Sequence, residues 1–249
     1  MSVTMRDALG KKLAALGRVR KDLVVLDADV SSSTKSSYFA ADFPDRFFNV
    51  GVAEANMVDI AGGLATCGYH PVVNAFAIFL ALKGTDQARN VLCYNKLPVV
   101  LVGAYAGLSD SFDGASHHSL ADIAIMRCLP NMTVVVPSDA AEAEAALEAA
   151  LDAPGPVYIR VNRNETPDLP PSAQSFAIGK IRTMREGSDV TIAATGLCVS
   201  MALEAAKALE AAGIQAEVLN VSTIKPSTST PSRHLSERRA GSSPPRSTQ

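Results

Sequence analysis

At 249 residues and 47% apolar composition, the chain can fold as one large domain, or as one domain and part of a second. A net charge of −2, with Arg and Lys scattered until the far C-terminus, argues against nucleic acid or an anionic membrane surface as a partner. No run of about 18 apolar residues is present to span a membrane, and the amphipathic opening MSVTMRDALGKKLAALG lacks the apolar core of a signal peptide, so a cytoplasmic protein is expected.

Short β-branched runs alternate with Ala-rich stretches along the first two thirds of the chain. Strands are predicted over 22–30, 46–52, 70–76, 97–105, 131–138 and 155–162. Helices are predicted over about 4–17, 53–67, 80–94, 118–128 and 138–152, with Ser138 and Asp139 offering N-cap chemistry to the last. Most of the strands are continuously apolar, as expected where both faces of a sheet are covered. The pattern predicts an α/β fold with a mostly parallel sheet over residues 1–165. Residues 166–187 hold Pro167, Pro170 and Pro171 and little periodicity, and read as a linker. A second α/β unit begins at 188–226: a strand over 189–196, a helix over about 198–212 stopped by Gly213, then QAEVLNVSTIKP. Two strands and a helix are too few for an independent core, so this unit reads as incomplete. The tail 227–249 is dominated by Ser, Thr, Pro and Arg, with Leu235 its only large aliphatic, and is expected to be disordered. The four cysteines, Cys67, Cys93, Cys128 and Cys198, form no CxxC pair and are expected to be buried free thiols in a reducing compartment.

Three features carry potential chemistry. Glu54 stands where a strand passes into a helix, in NVGVAEANMVDIAGGLA; a lone acid there also serves simply to complement the helix dipole. Phe76 and Phe79 occupy another such junction, where an aromatic pair packs a core or forms a flat slot for a planar ring. The loop SDSFDGASHHSLADIA brings Asp113 before two adjacent histidines, His117 and His118. Neighbouring histidines on an extended segment point opposite ways, which disfavours one shared metal ion, so no metal site is assigned to this chain.

The blocks NVGVAEANMVDIAGGLA, NAFAIF…TDQARN, GLSDSFDGASHHSLADIAIMRCLPNMTVVVPSDAAE and GPVYIRVNR resemble transketolases in order and spacing. The resemblance covers residues 1 to about 226 and matches the pyrimidine-binding domain and the start of the C-terminal domain. Beginning at Met1 just ahead of that domain, the chain is similar to the C-terminal subunit of a split, two-subunit transketolase. Deoxyxylulose phosphate synthases and the beta subunits of thiamine-dependent 2-oxo acid dehydrogenases share the domain, although the DGASHH loop resembles transketolases more closely.

The resemblance implies an enzyme subunit that transfers a two-carbon ketol unit between sugar phosphates with thiamine diphosphate. Glu54 would contact the ring nitrogen of the aminopyrimidine, where burial favouring the protonated acid would let it donate a hydrogen bond. Phe76 and Phe79 would stack the pyrimidine. Asp113 and His117 match positions that hold sugar hydroxyls and the reacting carbonyl oxygen, a place where histidine shuttles protons near neutral pH. Arg6, Ser33 and Arg163 align with the substrate-phosphate positions, and Arg160 competes with Arg163 for that role. His118 receives no role. Other readings stay open: a different thiamine-dependent reaction on a 2-keto substrate, or a non-catalytic, truncated assembly subunit.

Transketolases carry the Mg2+ (or Ca2+) and diphosphate site on a GDG-plus-Asn motif that does not occur in this sequence. The resemblance therefore implies an N-terminal partner subunit that supplies it, in an α2β2 assembly. After STIKP the sequence departs from the family pattern. Regrouping one choice of codons for STSTP by a single base gives Leu-Asp-Val-Asp-Thr, which resembles the family continuation, so a frameshifted and truncated C-terminal domain is expected.

Overall fold

The apolar runs and Ala-rich stretches become a layered α/β architecture in the computed structural model, which describes residues 3–170 and 175–226. In chain order the elements begin with α1 (Met5–Val19), β1 (Leu23–Asp27), α2 (Ser31–Thr34), α3 (Ser37–Asp42) and β2 (Phe47–Asn49). There follow α4 (Glu54–Thr66), β3 (His70–Phe76), α5 (Ala77–Lys83) and α6 (Thr85–Gln87), which runs into a π-helical turn at Ala88–Cys93. Next come β4 (Val100–Ala104), α7 (Asp122–Cys128), β5 (Thr133–Val135), α8 (Ala140–Leu151) and β6 (Val157–Arg160). The remainder holds β7 (Arg182–Arg185), β8 (Val190–Ala194), α9 (Cys198–Ala211), β9 (Ala216–Asn220) and β10 (Thr223–Lys225).

A seven-stranded sheet in the order β10-β5-β6-β4-β3-β1-β2 forms the centre, parallel throughout except for the β10–β5 edge. Val25, Val72, Val100 and Val157 stand in register across four strands. They pack with Leu9, Leu13 and Leu147 of α1 and α8 on one face of the sheet. Their neighbours Leu26, Val73, Leu101 and Tyr158 pack with Met57 of α4 and Met126 of α7 on the other. Successive residues thus face two different cores, which is why the strands lack alternation. Asp139 caps α8 by accepting a bond from the Glu142 amide, as its position in the sequence suggested.

A smaller sheet, β7-β9-β8, carries α9 on its surface. Its strand β7 lies inside the stretch read as a linker and pairs antiparallel with β9, Arg182 opposite Asn220. The four residues RTMR are all half-buried, so no apolar run marked them as a strand. Strand β10, expected to belong to the second unit, instead adds to the edge of the large sheet against β5. Helices α2 and α3 were not anticipated in the Ser-rich sequence, and the helix expected over 80–94 starts earlier, at Ala77, and is interrupted at Gly84. The cysteine expectation is corrected: only Cys93 is buried, while Cys67, Cys128 and Cys198 are exposed free thiols. Helical packing hides apolar faces, but these three fall on the solvent side. The tail 227–249 lies outside the described residues. Among those described, no helix is long and apolar enough to cross a membrane.

Candidate functional site

In a parallel sheet, ligands bind beyond the carboxyl ends of the strands, where loops and helix N-termini converge. Each of the eight residues to which the resemblance gives a role lies on an element there or in a loop leading from it. Glu54 opens α4 just after the turn at Gly51, whose φ of +73° is one that glycine adopts without strain. Its side chain is 3% exposed, and its Oε2 lies 3.3 Å from the ammonium of Lys83 at the end of α5. Oε1 receives no hydrogen bond from the described residues.

Phe76 ends β3 and caps α5, and Phe79 follows one turn later; their ring centroids are 6.2 Å apart. His117 meets both rings edge-on, at 5.9 Å from Phe76 and 5.0 Å from Phe79. The loop achieves this through Gly114 at φ +80° and a 3-10 turn at Ala115–His117, not an extended segment. Ser116 Oγ sits 3.0 Å from His117 Nδ1, which leaves Nε2 as the ring nitrogen free for another partner. His118 turns the other way, its Nε2 3.2 Å from the backbone carbonyl of Asp110.

The arginines gather around Tyr105. Arg6 donates from Nη1 to Tyr105 Oη at 2.6 Å and to the Ser33 carbonyl at 2.8 Å. Arg163 pairs with Asp110 at 3.3 Å, and its guanidinium lies 5.3 Å from the Tyr105 ring centroid. The Tyr105 ring in turn packs on Phe76 at 4.4 Å. Asp110 is fully buried, and burial, reinforced by the neighbouring Asp113 carboxyl, pushes its pKa up against the pull of Arg163 and His117. Arg160, the competing candidate, is occupied elsewhere: its Nε donates to the buried Asp122 at 2.7 Å, which also accepts the Tyr158 hydroxyl at 2.8 Å. Burial, followed by the Asp122 charge, pushes the Tyr158 phenol well up.

Contacts therefore run from Glu54 through Lys83, Phe79 and Phe76 to Tyr105, and from there to both arginines. Lys83, Tyr105 and Asp110 were missed in the sequence. Lys83 falls outside the stretches singled out, Asp110 stands in the SDSFDGASHH loop with nothing local to mark its burial, and Tyr105 offered only its place at a strand end. Among the described residues no group of three or more His, Cys, Asp or Glu side chains could hold a metal ion.

Residues 1–168 match the transketolase pyrimidine-binding domain, and residues 179–239 match the transketolase C-terminal domain. The chain is 42% identical over 224 residues to a putative transketolase C-terminal section of Methanocaldococcus jannaschii, covering 89% of this chain and 71% of that one. It is 40% identical to a 6-deoxy-6-sulfo-D-fructose transketolase subunit of Clostridium sp., covering 89% of this chain and 69% of the relative. A solved split-gene transketolase, an inactive beta4 tetramer, superposes with a TM-score of 0.82 at 44% identity, covering 91% of this chain and 73% of that one. Fold and sequence together define a transketolase-type pyrimidine-binding domain followed by C-terminal-domain sequence. The chain belongs to the transketolase family, where it matches the C-terminal section that split-gene members carry separately.

The family implies thiamine diphosphate, and the residues present fit its aminopyrimidine. A buried carboxyl group keeps one oxygen unengaged, and Phe76, Phe79 and His117 group their rings within 6.2 Å of one another.

Proposed function

We propose that this chain is the pyrimidine-binding subunit of a thiamine-diphosphate-dependent transketolase that moves a two-carbon ketol unit between sugar phosphates. The observation that carries this reading is the continuous run of contacts joining Glu54, the Phe76–Phe79–His117 rings and the arginines beyond the carboxyl ends of the central strands. When bound, the cofactor supplies the nucleophilic carbon that adds to a ketose carbonyl. Glu54 would hold the edge of the aminopyrimidine through its unengaged oxygen, and Phe76 and Phe79 would stack its face. His117 would hydrogen-bond the reacting substrate oxygen through Nε2 and move a proton to or from it, while Asp113 orients the sugar hydroxyls. Arg6, with Ser33 beside it, and Arg163 would hold the terminal phosphate.

The diphosphate and its Mg2+ or Ca2+ would be held mainly by an N-terminal partner subunit, in an α2β2 assembly. Support comes from the separate-chain relatives and from the inactive state of the solved beta4 tetramer. A cytoplasmic location accords with this chemistry. The test is to mix the chain with a partner bearing the GDG-plus-Asn motif and assay ketol transfer from a ketose phosphate to an aldose phosphate. Activity should appear only with both chains, and Glu54→Ala and His117→Ala should each lower it by at least about a hundredfold. An assembled complex that binds cofactor but moves no ketol unit would overturn the reading.

A further inference from the structure

We propose that the cavity between the carboxyl edge of the large sheet and the start of α9 binds a small monocarboxylate with an apolar body, at a site separate from the one described above.

The cavity has a volume of about 270 Å³. It is bounded by the loop after β4 (106–109), the chain leaving β5 at Val136, the chain leaving β6 at Asn162, and the turn into α9 at Gly196 and Leu197. A cavity of about 150 Å³ holds a benzene ring, so this one has room for a ring and a head group. None of the residues given a role in ketol transfer lines it. The two sites approach only through chain neighbours: Met5 and Asn162 line the cavity, while Arg6 and Arg163, next along the chain, turn to the Tyr105 ring.

The walls set the chemistry of the ligand. Met5, Val136, Pro137 and Leu197 supply apolar surface, and a few polar groups converge on it, the usual make-up of a small-molecule site. No Asp or Glu is among the described residues that line the cavity, and Arg160 is the one cation there. Its guanidinium is fixed from behind, with Nε donating to Asp122 at 2.7 Å and Nη2 to the Ser119 carbonyl at 3.3 Å. Nη1 makes no hydrogen bond among the described residues, and the side chain stays 20% exposed, so one pre-oriented donor arm remains unengaged. Asp122 already offsets the charge of Arg160, so a single carboxylate suits the site better than a dianion. Helix α9 starts beside it with no side chain capping its first turn, which adds partial positive charge at the same end. Gly196, at φ +56°, permits this approach: a Cβ there would lie 2.9 Å from Val136 Cγ1. The Asn162 amide can turn to join the head group at no cost in bonding, since its buried Oδ1 has no hydrogen-bond partner to give up. The carboxylate would thus lie between Arg160 Nη1 and the start of α9, with its apolar body against Met5, Val136 and Leu197.

Benzoate is the probe, titrated into the full ¹⁵N-labelled chain and followed by amide chemical shifts. The Gly107, Gly196 and Leu197 amides should shift saturably, with an apparent Kd of roughly a millimolar, and Tm should rise with benzoate concentration. Benzyl alcohol, the same ring without the charge, should bind about tenfold more weakly, in line with losing a hydrogen bond to a charged group. Leu197→Trp fills the cavity from a position that is 44% exposed; it should abolish the benzoate shifts and leave the unliganded Tm within about 2 °C of wild type. Asn164→Asp, a near-isosteric change that adds an anion to the lining, should raise the Kd for benzoate about fivefold and leave benzyl alcohol unaffected. Shifts that fail to saturate, equal binding of benzyl alcohol, or benzoate binding retained by folded Leu197→Trp would each overturn the proposal. So would shifts centred on Arg6, His117 and Arg163, which would put the carboxylate in the substrate site instead. Ketol transfer enters none of these readouts, so the functional reading stands or falls separately.

Discussion

Glu142 is the joint between the two sheets, and breaking it should be expensive. Its side chain is 1% exposed. The carboxylate accepts from the Ser138 amide at 2.8 Å and from the Ser138 hydroxyl, both within the large-sheet domain. From the small sheet it accepts Arg182 Nη2 of β7 at 2.8 Å and Asn220 Nδ2 of β9 at 3.0 Å and 3.2 Å. Glu142→Ala strands a guanidinium that is only 13% exposed, and it leaves the Asn220 amide without this acceptor. Removing one partner of a buried ion pair costs about 3–5 kcal/mol, because the remaining charge stays desolvated. For a domain of this size each kcal/mol lowers Tm by about 2–4 °C, so a fall of roughly 6–20 °C is expected. Urea unfolding of wild type, Glu142→Ala, Arg182→Met and the double variant would give the coupling directly. The double variant should lose less than the sum of the single variants by at least about 1 kcal/mol, since removing both charges removes the stranded one. Additive losses would refute the claim that this pair joins the sheets.

Three further outcomes follow from the same contacts. Arg160→Met should lower stability by about 3–5 kcal/mol through the orphaned Asp122, with no selective loss on phosphorylated acceptors, whereas Arg163→Met should raise KM for the phosphorylated acceptor; denaturation and kinetics on the two variants separate the roles. Asp110 has its folded pKa raised by burial, so its ionised form costs stability at neutral pH and that cost disappears as pH falls through the raised value. The stability of Asp110→Asn relative to wild type should therefore be greatest near pH 7 and shrink toward pH 4, as read from urea midpoints across that window; a difference growing on acidification would refute the assignment. A maleimide at pH 7.5 should label Cys67, Cys128 and Cys198 in the folded chain and reach Cys93, whose thiol burial pushes up to about 11, only on unfolding, as mapped by peptide mass spectrometry.

What the sequence disclosed of this fold follows from range. Six of the seven strands of the large sheet were legible, and five of them, β1 and β3 to β6, are local runs of mainly apolar residues largely buried on both faces, as in LVVLD of β1 and VLVGA of β4. Strand β7 was not, because RTMR owes its conformation to pairing with β9 more than thirty residues later. β10 is similar: STIK is apolar enough for a strand, but only the free edge of β5 decides which sheet receives it. The site divides the same way. Glu54, Phe76 and Phe79 stand at strand-to-helix junctions, a position visible in sequence. Their partners are set by distances along the chain of 29 residues for Lys83–Glu54 and 99 for Arg6–Tyr105, which no local pattern encodes.

The choice between Arg160 and Arg163 shows how far elementary geometry could have gone. Side chains three apart on an extended segment point to opposite faces, so the two arginines could not have served one ligand. Each has met a different buried acid, Arg160 with Asp122 and Arg163 with Asp110. Asp122 also holds the Tyr158 hydroxyl, in a core where Gly103 leaves room: a Cβ on Gly103 would lie 2.3 Å from that hydroxyl oxygen. Arg160 is thus fixed by packing on one side of the strand end. Arg163 faces the loop of Asp110, Phe112 and Tyr105, where its ion pair is the sort an incoming anion can share or displace. Arg160 shares its counter-charge with a buried phenol and also donates to the Ser119 carbonyl, which makes it a structural group. Arg163 is held by the Asp110 carboxylate and lies over the rings of Tyr105 and Phe112, and under the proposed function it is this ion pair that the substrate phosphate would share.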